Sequence, residues 1–314
     1  MSKTFAIMAL GVILLGMGGL QPIPFAQQEQ GELIVCSEGC PFSSIQAAID
    51  AAQEGDVVQV MAGTYPETLF IGKSITLRGE SSDAVVLKPA RSEDTVVRIR
   101  PPTGKVPGSG SSPITVTLMN VTITGGRRGI EIAQASVHLL GNRILGSPWG
   151  VVAGGFSGEL SLLGNEIAGN VEAQGSIGVF LQGELTATLH RNRISDRGVG
   201  VMVAGRVAAE IRDNTVSENT NGLVIGGEAR AQVEENRITD NSFVGIQLSD
   251  RADVLISRNE IRNSIRGVAL WQRPCFPTDD PFEGSVQGSE NQFSGNLTDL
   301  CPEDYPWPEG FKRP

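Results

Sequence analysis

Histidine is almost missing from this chain, with two in 314 residues, and cysteine and aromatic side chains are scarce: four Cys, eleven Phe, three Trp and two Tyr. Two imidazoles, His138 and His190, are too few for the nitrogen-rich ligand set of a soft-metal centre. Positive charge is in deficit, with 25 Lys and Arg against 35 Asp and Glu and a net charge of −10. An acidic surface disfavours nucleic acid and anionic membranes as partners, and weighs against a polyuronate unless a cation bridges the two. No metal site or cofactor is indicated; calcium is compatible with the acidity, but nothing in the spacing of the acids asks for it. Phe5 to Leu20 is almost wholly apolar, yet its 16 residues fall short of the roughly 20 a spanning helix needs.

What the chain has in excess is glycine, 39 residues, with β-branched residues in short runs. That composition suits many short strands joined by tight corners and leaves helix a minor part. From Asn142 to Leu270 one pattern recurs: Asn, any residue, Ile or Val, then a glycine that leads an apolar strand. The asparagines are Asn142, Asn165, Asn192, Asn214, Asn236 and Asn259, at intervals of 23, 27, 22, 22 and 23 residues. The glycines are Gly150, Gly178, Gly200, Gly222, Gly245 and Gly267. A period near 22 residues means stacked coils, each divided into three strands, and length then ceases to count domains.

Strands of successive coils stack about 4.8 Å apart, so equivalent side chains form columns. Five and three residues before each asparagine the side chain is small or apolar, from Val137 and Leu139 to Val254 and Ile256, and must point inward. An inward corner Asn can bond its amide to the same residue above and below, at about 1 kcal/mol net each. The six asparagines are therefore read as scaffold. Carried upstream, the register puts Met119 rather than Asn120 in this column, so the ladder begins at Asn142.

Lys3, the apolar run and Pro24-Phe25-Ala26 before a Gln-rich stretch predict a cleaved export signal over 1–26. Its removal takes one positive charge and leaves about −11, with no stable membrane insertion, in an extracellular, cell-surface or periplasmic location. Residues 27–42 are expected as a loop with a disulfide, 43–54 as a capping helix ended by Gly55, 43–300 as the coil domain and 301–314 as a capping tail. Strands are predicted at 57–60, 68–71, 74–77, 85–87, 96–99 and 114–123, and Pro101 to Pro113 as an exposed loop. Four cysteines allow three pairings, but the ends of a solenoid lie tens of ångströms apart. Only Cys36 with Cys40 and Cys275 with Cys301 then meet a Cα separation under about 7 Å. Two insertions break the period, Ala168 to Ile177 and Trp271 to Glu290, at opposite edges of the glycine-led strand. Tyr305, Trp307 and Phe311 are expected to cover the last coil.

Two surfaces could carry function. Outside the asparagine-approach strand, His190, Arg191, Arg212, Asp213 and Glu234 form a charged patch. A carboxylate pair there could hydrolyse a glycoside, and an Arg or His could act as base in an elimination; a solvated face of exposed ion pairs is the favoured reading. The glycine-led strand instead presents Val152, Phe180, Met202, Val224 and Gln247 in one outward column, with Gln182 and Trp271 in the next, and no charge from Val152 onward. Such a flat apolar strip, roughly 24 Å over five coils, is normally covered or used. Candidate occupants are an extended polysaccharide or another cell-surface component, a second copy of the chain, or the chain's own insertions.

Ser44-Ile45-Gln46-Ala47-Ala48-Ile49, Gly55-Asp56-Val57-Val58, Ala62-Gly63-Thr64-Tyr65-Pro66-Glu67 and Lys73-Ser74-Ile75-Thr76-Leu77, with the Asn-x-Ile repeats, resemble the pectate-lyase-like superfamily of exported right-handed parallel β-helix proteins. The resemblance covers about residues 43 to 300 and implies an all-β fold: a single-stranded right-handed parallel β-helix, three strands and about 22 residues per coil, with a short N-terminal capping α-helix. It implies fold more than activity. The paired aspartates of pectin methylesterases, the Asn-Thr-Asp, Asp-Asp and Gly-His-Gly signatures of polygalacturonases, and the acid cluster and Arg-Pro motif of pectate lyases are all missing here. The expected function is a non-catalytic, monomeric carbohydrate-binding or surface-scaffold module. The alternative is a polysaccharide-active lyase or glycoside hydrolase.

Overall fold

The computed structural model describes residues 31–102, 113–169 and 175–312. The expected signal, 1–26, most of the Pro101–Pro113 loop and the middle of the first insertion lie outside them. Three short strands per coil wrap one core, all paired in parallel. Ten three-residue strands, from Gly63–Tyr65 to Gln292–Ser294, stack as one face, which we call the short face. The glycine-led and asparagine-approach faces share a 19-stranded ladder. They are joined because two coils straighten the corner between them into continuous strands, Trp149–Leu163 and Ile177–His190.

The core follows from alternation. Val137, Leu139, Ala187, Leu189, Val233 and Ile256 on the asparagine-approach strands, and Val179, Leu181, Leu223 and Ile246 on the glycine-led ones, are all buried. Each short-face strand adds a third wall through Ile144, Ile167, Ile194, Val216, Ile238 or Ile261.

Both corners of the short face turn through left-handed residues. Before the ladder asparagines stand Gly141, Gly164, Arg191, Asp213, Glu235 and Arg258, with φ between 54° and 64°. After the short strands come Gly146, Asp196, Glu218, Asp240 and Asn263, with φ between 56° and 73°. A three-residue strand between two such residues reverses the chain sharply enough to close the coil. The third corner explains the repeated glycine. A Cβ on Gly178 would lie 2.5 Å from the Gly200 carbonyl oxygen and 2.9 Å from Ile194, inside the next coil.

The asparagine column is a continuous hydrogen-bond ladder. In each rung the side-chain oxygen accepts from the backbone N–H and the Nδ2 of the preceding asparagine, as Asn165 does from Asn142 at 2.9 and 3.1 Å. Nδ2 also donates to a carbonyl of the preceding coil, such as Asn142 to Leu118 at 2.8 Å. The ladder does begin at Asn142, but the residue stacked above it is Val121, whose N–H donates to Asn142 Oδ1 at 3.2 Å. The expectation of Met119 there is corrected: Val116 and Leu118 are the inward pair, and Asn120 takes the left-handed corner. The expected 114–123 strand accordingly breaks into Ile114–Met119 and Thr122–Thr124. At the far end the ladder runs one rung further than expected, from Asn259 to Asn291.

A second ladder occupies the corner after the short strands. The Asn219 side-chain oxygen accepts from Arg197 N–H at 3.1 Å, and that of Asn241 from Asn219 N–H at 3.2 Å. In the same column Arg197 is wholly buried. Its guanidinium donates to the Ser147 carbonyl and, at 2.7 Å, to the Ala168 carbonyl, tying three coils together where the first insertion departs. Desolvation pulls its pKa down to about 10, with Asp196 opposing.

The ends are closed as the sequence anticipates in kind, with different bounds. The capping helix is Ile45–Ala51, shorter than 43–54. Ser44 caps it by accepting from Ala47 N–H, and it stops at Ala52 in extended backbone, while Gly55 turns the chain later. Glu32–Val35, expected within a loop, is a strand that pairs with Val57–Val60 and forms the first rung. The two disulfides are Cys36–Cys40 and Cys275–Cys301, with Cα separations of 5.6 and 5.7 Å. Phe311 is buried on the last coil, Trp307 and Tyr305 pack beside it, and the Phe311 carbonyl accepts from Asn291 Nδ2 at 3.0 Å.

Candidate binding face

The glycine-led face presents three outward columns. The column through Val152, Phe180, Met202, Val224 and Gln247 lies in register along the coil axis. Beside it runs the column holding Gln182, and Trp271 directly follows the glycine-led strand Arg266–Leu270. A third, outside the sequence expectation, precedes the glycines: Trp149, Ile177, Val199, Asn221 and Val244 stand between Arg128 on one side and Arg266 on the other. Trp149 meets Phe180 edge to face at 5.7 Å, so the apolar strip is wider at this point than the sequence suggested. It also ends in charge, contrary to the expectation of a wholly uncharged face, because the omitted column supplies Arg266.

Self-covering is partial. The second insertion folds back over the last coils: Phe276, Cys275 and Cys301 join Val244, Ala269 and Phe243 in an apolar cluster outside the main core. Trp271 stacks on Phe276 at 4.4 Å, and the Arg266 guanidinium sits over the Phe243 and Phe276 rings at 5.1 and 5.4 Å. Ala269 is thereby fully buried, and Val224 nearly so. Val152, Phe180, Met202 and Gln247 remain half-buried, and Gln182 is exposed. Asn221 Oδ1 and Arg266 Nη1 are shielded from solvent without a protein hydrogen-bond partner.

At the opposite end of the same face Glu131 lies between Arg98, at 3.2 Å, and Arg128, at 3.7 Å, and accepts from Thr95 at 3.3 Å. Arg100 stacks over the exposed Phe70 ring at 5.8 Å. Arg98, Arg100, Arg128 and Glu131 line a notch of about 280 Å³. No sequence signal marked it, since Arg98 and Arg128 come from coils outside the regular repeat.

The charged patch is brought together, and its members neutralise one another. Asp213 takes Arg191 at 3.1 Å and His190 at 3.6 Å. Glu235 receives Arg212 at 2.9 Å and Arg258 at 3.0 Å, while Arg258 also reaches Glu234 at 3.1 Å. Hydrogen bonds from Arg212 and Arg258 hold the Glu235 carboxyl below the usual carboxylate range, the reverse of what a general acid needs. The pairs are solvent-exposed and add little to stability. Among the described residues no three His, Cys, Asp or Glu side chains converge as a metal site requires. Nor, among them, is any helix long and apolar enough to cross a membrane.

No curated protein matches the chain. Among solved structures it is similar to the A-module of the mannuronan C-5 epimerase AlgE6 of Azotobacter vinelandii, at 16% identity, over 84% of this chain and 92% of that one, with a TM-score of 0.47. It is also similar to the pectin methylesterase PemA of Erwinia chrysanthemi, at 13% identity over 82% and 89%, TM-score 0.44. An alginate lyase of Paenibacillus sp. str. FPU-7 aligns at 12% identity over 90% and 99%, TM-score 0.42. At such identities the likeness concerns fold alone. The sequence itself matches the family described as "Right handed beta helix region" over residues 106–261 and 149–296, more than half of the chain. With its stacked parallel coils and internal ladders, the chain belongs to the right-handed β-helix family.

Proposed function

We propose that this is an exported, non-catalytic carbohydrate-binding module whose glycine-led face receives an extended polysaccharide along the coil axis. The observation that carries the reading is the row of Val152, Phe180, Met202 and Gln247, left half-exposed between the Arg98–Glu131–Arg128 cluster and the Phe276 flap. Sugar rings offer apolar faces to Trp149, Phe180 and Met202, and hydroxyls to Gln182 and Gln247. The non-catalytic half of the reading rests on the paired state of His190, Arg191, Arg212, Asp213 and Glu234, which leaves no free carboxylate pair on that patch.

A glycan-array screen of the secreted protein, run beside reducing-end and unsaturated-product assays on each glycan captured, tests it. Capture without product is the expected result. Turnover of any captured glycan overturns the reading in favour of a lyase or glycoside hydrolase, and absence of capture leaves a purely structural scaffold.

A further inference from the structure

We propose that the asparagine-approach face is a second binding site, which takes a neutral, hydroxyl-rich, extended glycan laid parallel to the coil axis. Two depressions of about 480 and about 810 Å³ share Thr186, Ala208 and Arg230, and so form one trough along that face. From Ser136 to Ser285 it spans seven coils, roughly 29 Å at about 4.8 Å per coil. It is separate from the glycine-led platform and owes nothing to the reading given for it.

The walls of the trough are closed charge ladders. On the side of the glycine-led face, Arg206 bridges Glu184 at 2.5 Å and Glu228 at 3.2 Å, and Arg251 bridges Glu228 at 3.7 Å and Glu283 at 3.0 Å. On the side of the asparagine corner stand the pairs of Asp213, Arg212, Glu234, Glu235 and Arg258 described above. Every wall guanidinium already has a carboxylate, so the walls give a polyanion no counter-charge and face it with carboxylates on both sides, while Arg230, the one free floor cation among the described residues, is offset by the free carboxylate of Glu210. A neutral chain meets no such repulsion.

The floor is the opposite: polar and unsatisfied. Strand alternation points Thr188, Glu210, Gln232 and Gln287 outward along one column, with Ala208 and Arg230 in the neighbouring one. The side chains of Thr188, Glu210, Arg230, Gln232 and Gln287 make no hydrogen bond within the described protein. Donors and acceptors therefore recur in three successive coils, at Thr188, Glu210 and Gln232, and again at Gln287 after Leu255, and the small Ala208 keeps the floor low where the two depressions meet. A row of free amide, hydroxyl and carboxylate groups, broken once by the apolar Leu255, between self-neutralised walls matches an uncharged glycan, which offers both hydroxyls and apolar ring faces.

Calorimetric titration of the whole protein with hexasaccharides of β-1,4-linked glucose, mannose and xylose, with hexagalacturonate as the charged comparator, tests the inference. At least one neutral hexamer is expected to bind more tightly than its trimer, with little change on adding about 0.5 M NaCl. Ala208→Trp, which raises the floor, is expected to weaken that binding by about tenfold or more, and Gln232→Ala by a few-fold. Arg193→Trp, equal bulk on the short face, is expected to leave it unchanged. Gln232→Ala keeps the test decisive if Ala208→Trp does not fold. Failure of every neutral hexamer to bind, preference for hexagalacturonate, or binding indifferent to Ala208→Trp and Gln232→Ala overturns it. Loss with Met202→Glu but not with Ala208→Trp also overturns it, and leaves the glycine-led reading standing.

Discussion

The side-chain oxygen of Asn236 accepts two hydrogen bonds from one residue, Asn214: its backbone N–H at 2.9 Å and its Nδ2 at 3.0 Å. Asn214 in turn serves Asn192 in the same way and donates to the Leu189 carbonyl at 2.8 Å. Removing one amide therefore orphans groups in three coils. Asn214→Leu is expected to cost about 3–5 kcal/mol in urea denaturation, from several buried groups at about 1–3 kcal/mol each.

Asn214→Asp gives the same site a pH dependence. Its protonated form can still donate to the Leu189 carbonyl, whereas its carboxylate would face that oxygen and Asn236 Oδ1 in a buried site, which raises the folded pKa. A raised folded pKa means stability that is present below the unfolded value near 3.9 and lost as pH climbs through the folded one. The gap between wild type and variant should accordingly be smallest near pH 3.5 and widest at neutral pH, as measured by denaturation at a series of pH values.

Arg197 is buried without a carboxylate bonded to it. Its folded pKa, about 10, lies below the ordinary 12.5, so its charge is disfavoured in the fold at every pH below about 10, with relief only as pH rises from there towards 12.5. Between pH 5 and 9 the stability difference between wild type and Arg197→Met is expected to be flat. Replacing a buried charge by an apolar side chain of similar length should stay within about 2 kcal/mol of wild type. Arg197→Ala, which adds a cavity to the orphaned carbonyls, should cost about 3–5 kcal/mol.

Glu218 holds φ at 60° at an exposed corner. A left-handed non-glycine residue costs about 1–2 kcal/mol, and glycine returns part of that as unfolded-state entropy. Glu218→Gly should therefore stabilise the protein by about 0.5–1 kcal/mol, visible as a higher denaturation midpoint. An unchanged or lower midpoint would mean that the corner carries no strain.

The asparagine ladder could be read from the sequence because one residue type repeats in one column at the coil period. The second ladder could not, since Asn219 and Asn241 share their column with Ser147, Arg197 and Ser264. Asn291 escaped because the second insertion stretches the last interval to 32 residues. Upstream the sequence places Met119 in the column, two residues early, because Val121, which takes that position, carries no polar signal to mark it. The Glu32–Val35 strand is a four-residue run next to a cysteine loop, too short for alternation to show. The candidate platform was legible where inward and outward positions alternate. The column of Trp149 was not, because the glycine corner interrupts alternation: Gly178 and Val179 are consecutive buried residues. The trough over the asparagine-approach face depends on how walls from different coils stand beside the floor, which no local pattern encodes.

The central claim is that the strip on the glycine-led face binds a glycan. Met202 and Gln247 are half-buried side chains on the outward face of the sheet, so the double variant Met202→Glu, Gln247→Glu is expected to fold and remain the same size in solution. The most direct measurement is the affinity of that variant for the glycan that wild type captures most tightly on the array. Weakening by about a hundredfold or more, with the far-ultraviolet spectrum and elution volume unchanged, is the expected result. A folded double variant that binds the same glycan as tightly as wild type would contradict the account.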